Sequence, residues 1–132
     1  MARELVRSDL PAGLVARVVT SDISDGNLAP WSDYEQLLVR RAQLAPEPWT
    51  WLQQVHGSSA VVVRHPGENS GEKADAAVTN RHGCTLSVAV ADCAPVVILA
   101  EGGGLAVVHA GWRGVLAGVI ESAMGALVDL AP

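Results

Sequence analysis

His56, Cys93 and His109 are the residues of this chain whose types suit metal chemistry. His109 ends the apolar run Leu105-Ala106-Val107-Val108 and is followed by Ala110-Gly111-Trp112-Arg113-Gly114, a glycine-flanked bend opening a helix. Cys93 stands just before a second apolar run, Val96-Val97-Ile98-Leu99, and Gly102-Gly103-Gly104 can turn one run back on the other. Pairing Ala100 with Leu105 sets His109 opposite Val96, and the bend at Pro95 lets Cys93 fold towards it. His56, also at a strand end before a glycine, joins from a separate hairpin. Two imidazoles and a thiolate make a three-ligand zinc site with a vacant fourth position, the arrangement of catalytic rather than structural zinc. These three are therefore the candidate catalytic and metal-ligating residues.

The same residues admit other readings. Cys93 as a thiolate nucleophile with His109 as its base gives a metal-free cysteine hydrolase. One cysteine and two histidines also seat a single copper, but a multicopper cluster wants more histidines than the four present. Without chemistry, Cys93 is a small buried hydrophobe, His56 a turn residue and His109 a hydrogen-bonded histidine at a helix start. Cys84, His65 and His82 fall in turn-like or loop contexts and are read as non-functional. Asp92 is a carboxylate inside an apolar run, so it needs a partner to offset desolvation: Arg113, a backbone amide or a histidine N–H. Arg113 and the amides after Gly111 form a candidate anion site.

These residues require elements to hold them. Val15 to Thr20 reads as a strand, followed by a turn-rich stretch from Ser21 to Asn27. Ser32-Asp33-Tyr34-Glu35 fits a capping box with Ser32 at the cap, opening a helix through Tyr34, Leu37, Leu38, Arg41 and Leu44 that Pro46 and Pro48 stop. Trp49 to His56 reads as a strand turning at Gly57-Ser58 into Val61-Val62-Val63, and His65 to Lys73 as an exposed loop. Thr85 to Val90 alternates as a strand, and Val96 to Leu99 suits one buried on both faces. From Gly114 the apolar residues Val115, Leu116, Val119, Ile120, Ala123, Met124 and Leu127 predict one helix with a broad apolar face. Helix, strands, then helix indicate an α+β domain with hairpins.

Composition narrows the function further. The chain has 132 residues, 49% of them hydrophobic, which favours one packed domain over residues 1–132. Nine Lys and Arg against 14 Asp and Glu give a charge of −5, which argues against nucleic acid or an anionic membrane as partner. The stretch Leu86 to Ala100 is interrupted by Asp92 and Pro95 and is too short to span a bilayer. No signal peptide is visible and two cysteines make no disulfide framework, so cytoplasm is the expected location. With no Phe and one Tyr, the four tryptophans Trp31, Trp49, Trp51 and Trp112 are the large fixed objects of the fold.

Four motifs in order, Gln54-Val55-His56-Gly57, Ala74-Asp75-Ala76-Ala77-Val78-Thr79, Ala91-Asp92-Cys93-Ala94-Pro95 and His109-Ala110-Gly111-Trp112-Arg113-Gly114, resemble the YfiH family. Its members have been called multicopper polyphenol oxidases or laccase-domain proteins, and purine nucleoside phosphorylases with adenosine deaminase activity. The resemblance covers roughly Trp51 to Met124 and implies an α/β/β/α arrangement of mixed sheets, of which this chain is the N-terminal portion. It implies that His56, Cys93 and His109 bind the family's metal, with zinc favoured over copper. The implied substrates are a purine nucleoside and phosphate. Gln54 is then a nucleoside contact or a backbone clamp, Arg113 a phosphate contact, and Asp92 a substrate-side group or a carboxylate orienting a ligand histidine.

The chain also departs from the family. Members carry a Thr-Thr-Arg-x-Gly-Gly-Val-Ser-like segment whose arginine helps build the substrate site, whereas Thr20-Ser21-Asp22-Ile23-Ser24-Asp25-Gly26 places an acid there. Asp22 is expected to repel phosphate, so deamination should survive better than phosphorolysis. The Asn-Arg pair of the family's first helix appears only as Arg40-Arg41, and the chain is shorter than the family. A non-catalytic metal-binding domain is the corresponding alternative.

Overall fold

The computed structural model describes residues 1–130; residues 131–132, the end of the expected domain, lie outside the described part. The strands are β1 (Arg3–Asp9), β2 (Val15–Thr20), β3 (Trp49–Thr50), β4 (Leu52–Gln53), β5 (Ala60–Val62), β6 (Glu72–Lys73), β7 (Ala76–Thr79), β8 (Thr85–Leu86), β9 (Ala94–Leu99) and β10 (Leu105–Ala110). The helices are α1 (Tyr34–Leu44), α2 (Trp112–Ala117) and α3 (Val119–Leu130). This is the α+β class with mixed sheets that the sequence implies. No described helix is long and apolar enough to cross a membrane.

The central sheet has the order β5-β7-β10-β9, with β5 parallel to β7 and the other neighbours antiparallel. Side chains alternate across a strand, so the sheet has two distinct faces. On one face Ala76, Val78, Ala106, Val108 and Ala110 pack against Val119, Ala123 and Leu127, which recur every four residues along α3. Small side chains on the sheet let the helix approach closely: a Cβ on Gly104 would come within 2.8 Å of Leu127. The other face carries Ala77 and Val107, packed with Leu52, Val63 and Ala74. His109 shares the alternation of Val107 and therefore faces away from α3.

Several local expectations are corrected. Asp33, not Ser32, caps α1 and accepts from the Gln36 amide, while the Ser32 hydroxyl donates to the Ala29 carbonyl. The segment Trp49 to His56 is broken into two short strands, β3 and β4, each paired in parallel with a different partner. Only Thr85–Leu86 of the expected 85–90 strand pairs as a strand. The run Val96 to Leu99 lies on an edge strand, with Val97 38% exposed, because no further strand follows β9. The glycine turn closes from Ala100 to Gly104, so Leu105 pairs with Leu99 and His109 faces Pro95 rather than Val96. The helical stretch after Gly111 is two helices, since Gly118 adopts φ 94°, a left-handed conformation that caps α2. Glu72–Lys73, at the end of the expected 65–73 loop, forms β6 against β4, and β1 and β7 are strands that the sequence patterning does not predict.

Candidate metal centre

Sheet register builds the site. Val108 pairs with Ala76, so the next residues, His109 and Asp75, stand side by side, and the His109 amide donates to the Asp75 carbonyl at 2.7 Å. Ala110 pairs with Ala94, which brings Cys93 alongside Gly111. The third element, the turn at Val55-His56-Gly57, is drawn in by Asp75 itself. Its Oδ1 accepts from the amides of Val55 and Gly57, and its Oδ2 from the amide of His56, each at 3.0 Å. His56 takes φ 56° to permit this convergence. That left-handed conformation costs a non-glycine residue about 1–2 kcal/mol, which the three charge-assisted bonds offset.

The nitrogen and sulfur donors of His56, Cys93 and His109 all lie within 4.8 Å of one another. The two imidazoles meet edge to face, with centroids 4.9 Å apart and planes at 69°. His109 is buried, Cys93 half-buried and His56 exposed, so the cluster opens to solvent on one side. Nδ1 of His109 lies 2.8 Å from Oδ2 of Asp75. A carboxylate there selects the tautomer that donates from Nδ1 and leaves the Nε2 lone pair facing the cluster. Burial alone would raise the Asp75 pKa, but the bonds from His109 and from the amides of Val55, Gly57 and His56 outweigh it and hold the carboxyl below its ordinary value.

Whether these residues suit a metal is tested by Gly111. A Cβ on Gly111 would sit 2.9 Å from Nδ1 of His56 and 3.1 Å from Sγ of Cys93. Its φ of −82° is open to any residue, so the glycine serves space and not backbone freedom. The chain thus leaves room beside two of the donors while Asp75 orients the third. Two imidazoles and a thiolate are a borderline-soft set that fits zinc or a single copper. This is the only cluster of three or more such groups close enough to hold a metal ion among the described residues.

The remaining sequence candidates fare differently. Gln54 acts as a backbone clamp: its Nε2 donates to the Ala89 carbonyl at 2.6 Å and its Oε1 accepts the Ala89 amide at 2.8 Å. It thereby fixes the segment after β8 that ladder bonds do not hold. Asp92 is exposed, because the run containing it lies at a sheet edge, and it makes no ion pair with Arg113 among the described residues. Arg113 is exposed as well and lies 5.1 Å above the ring of its neighbour Trp112. The buried carboxylate that orients a histidine of the cluster is Asp75 and not Asp92. Its signal was an acid within Ala74-Asp75-Ala76-Ala77, an apolar run of small residues that buries completely.

His56 and His109 line a cleft of about 1400 Å³ whose walls also include Gln54, Val88, Pro95 and Arg41. Asp22 is not part of its wall, although Ser21 and Gly26 are. The Asp22 side chain instead caps the turn Ile23–Asp25, accepting the Ser24 amide at 2.8 Å, and pairs with the Met1 amine. Asp22 thus stands next to the cleft wall and not in it. His65 and His82 are exposed and apart from the cluster.

Comparison with known proteins places this arrangement. A family model described as multi-copper polyphenol oxidoreductase laccase matches residues 31–131. A Shigella flexneri protein named purine nucleoside phosphorylase YfiH is 41% identical over 86 residues, which are 64% of this chain and 35% of that protein. The Streptomyces coelicolor purine nucleoside phosphorylase SCO2081 is 36% identical over 97 residues, 72% of this chain and 40% of its own length. Among solved structures, Neisseria meningitidis protein NMB0706 superposes with a TM-score of 0.66 at 29% identity, covering 76% of this chain and 44% of that one. The matched segments thus span between 35% and 44% of these relatives' own lengths.

Proposed function

The chain belongs to the multi-copper polyphenol oxidoreductase laccase family, to which the YfiH proteins also belong, and on that premise we propose that it is a zinc-dependent enzyme of purine nucleosides. The reaction is phosphorolysis of the glycosidic bond, deamination of adenosine, or both. The observation that carries this reading is the convergence of His56, Cys93 and His109, with Asp75 fixing the buried histidine and both imidazoles lining a large cleft. The relatives' names supply the substrate class.

His56, Cys93 and His109 would hold the ion, and when bound it supplies a Lewis acid that polarises oxygen and acidifies water. The protein's own groups do the rest. Asp75 keeps a proton on Nδ1 of His109 and tethers the His56 turn, so both imidazoles are oriented before substrate arrives. Gln54 holds the Ala89 segment as a wall of the cleft. Arg113 and Asp92 are exposed and stand outside the cleft wall, so Arg113 would meet a phosphate only at the rim beside Trp112, with Asp92 at the rim beside Cys93. Phosphorolysis breaks the bond between ribose C1′ and the purine nitrogen, forms a C1′–O bond to phosphate and returns a proton to the base. Deamination replaces the C6 amino group by oxygen from water and releases ammonia.

The metal-free hydrolase reading shares Asp75, His109 and Cys93 but leaves His56 without a role, and His56 is held in a costly conformation beside the other two. The deciding assay incubates zinc-analysed protein with adenosine, with and without phosphate, and follows inosine, adenine and hypoxanthine separately. Zinc-dependent inosine or phosphate-dependent adenine supports the proposal. Absence of all three products from zinc-loaded protein contradicts it, and activity that persists after chelation supports the cysteine hydrolase.

A further inference from the structure

Arg41 is the most unusual charged residue away from the metal cluster. It lies in the last turn of α1 and is only 9% exposed. Its Nε is buried without a hydrogen-bond partner, and among the described residues no carboxylate approaches its guanidinium within 4.0 Å. Glu47 shares the same cleft wall but stays beyond that distance. Buried cations are ordinarily paired, because the lost hydration must be replaced. The neighbouring Arg40 is partnered in the expected way, by the Asn27 carbonyl and the Gln36 amide oxygen, each at 2.9 Å.

What holds Arg41 is aromatic. Its guanidinium carbon lies 5.6 Å from the ring centroid of Trp49 and 5.8 Å from that of Trp51. Both indoles are themselves fixed. Trp49 Nε1 donates to the Ala45 carbonyl at 3.1 Å, and Trp51 rests on Gly71, where a Cβ would stand 3.3 Å from the ring. Cation–π contacts satisfy the faces of a guanidinium and leave its edge, where the N–H donors lie, in want of an acceptor. Arg41, Trp49 and Trp51 all line the large cleft.

We infer that Arg41, clamped by Trp49 and Trp51, is a binding site for an oxyanion, the phosphate or carboxylate group of a small molecule entering the cleft. The fork of N–H donors matches two oxygens of either group, and a rigid, already desolvated guanidinium loses little on binding. The site is independent of the metal reading, since none of its residues belongs to the histidine–cysteine cluster.

The two indoles report on the site directly. Protein kept in EDTA is titrated with inorganic phosphate, then in a second series with acetate, at ionic strength held constant with chloride, while tryptophan fluorescence and Tm are recorded. Saturable fluorescence change with a rise in Tm is expected in at least one series, and which anion produces it identifies the group. Arg41→Gln is expected to weaken that response at least tenfold, and Arg41→Lys, which keeps the charge without the fork, to weaken it several-fold and to stand in if the glutamine variant does not fold. No saturable response to either anion in the wild-type protein overturns the inference. So does an undiminished response in Arg41→Gln or Arg41→Lys. Because EDTA is present throughout, loss of the zinc reading would leave this outcome unchanged.

Discussion

Asp75 and His109 are cross-strand neighbours joined twice, through the His109 amide to the Asp75 carbonyl at 2.7 Å and through Nδ1 to Oδ2 at 2.8 Å. The same carboxylate receives the amides of Val55, His56 and Gly57, so one buried acid ties the second histidine to the first. Strand pairing alone would place His109; it would not place His56.

Replacing Asp75 with Asn keeps the shape but removes the charge that four donors share. The amide nitrogen can no longer accept from Nδ1 of His109, so the imidazole loses the partner that sets its tautomer. Zinc affinity measured by competition with a chromophoric chelator should fall roughly 10–100-fold. Unfolding of the metal-free variant should be easier by about 1–3 kcal/mol. Nitrogen-15 shifts of His109 would show the changed tautomer, a readout that general loosening of the fold does not produce. Unaltered shifts and unaltered zinc affinity would remove Asp75 from the site.

Acid should destabilise the metal-free protein through the same group. The folded Asp75 pKa lies below its unfolded value of about 3.9, so folding favours the ionised form. Its contribution is fully present above that unfolded value and is lost as pH falls through the lower, folded one. Denaturant unfolding in EDTA, repeated across this acid range, should show wild-type stability dropping more steeply than that of Asp75→Asn. Parallel curves would contradict the assignment.

Gly111 offers a test that spares the backbone. Alanine adopts φ −82° readily, so Gly111→Ala should change Tm by little, yet its methyl would intrude within 2.9 Å of Nδ1 of His56 and 3.1 Å of Sγ of Cys93. The expected result is a folded protein with at least tenfold weaker zinc binding. Full zinc affinity in this variant would mean that the ion does not occupy the space between His56 and Cys93.

His56, Cys93 and His109 stand out in the sequence as candidates because each lies at or next to the end of an apolar stretch, near a glycine or proline that turns the chain. Their register was legible only to within one residue, since nothing in Gly102-Gly103-Gly104 says that the turn closes from Ala100 to Gly104. The carboxylate was misplaced for a physical reason. Asp92 and Asp75 both interrupt apolar sequence, but a local run does not say whether its strand is central or at an edge. Val96 to Leu99 proved to be an edge, leaving Asp92 exposed, whereas β7 lies between β5 and β10 and buries Asp75. Gln54 was equally ambiguous, because its amide suits a nucleoside and a backbone alike until the position of Ala89 is known. The Arg41 clamp was hidden because Trp49 and Trp51 follow a proline-rich turn whose path, and not its composition, brings them back over α1.

The central claim is that His56, Cys93 and His109 hold one zinc ion. It is tested most directly by zinc-edge X-ray absorption on protein loaded with one equivalent, compared with Cys93→Ser and His109→Ala. The wild-type spectrum should fit one sulfur at about 2.3 Å and two imidazole nitrogens at about 2.0–2.1 Å. The sulfur shell should vanish in Cys93→Ser, and one imidazole should be lost in His109→Ala. A wild-type spectrum without sulfur, or a sulfur shell that survives in Cys93→Ser, would contradict the account.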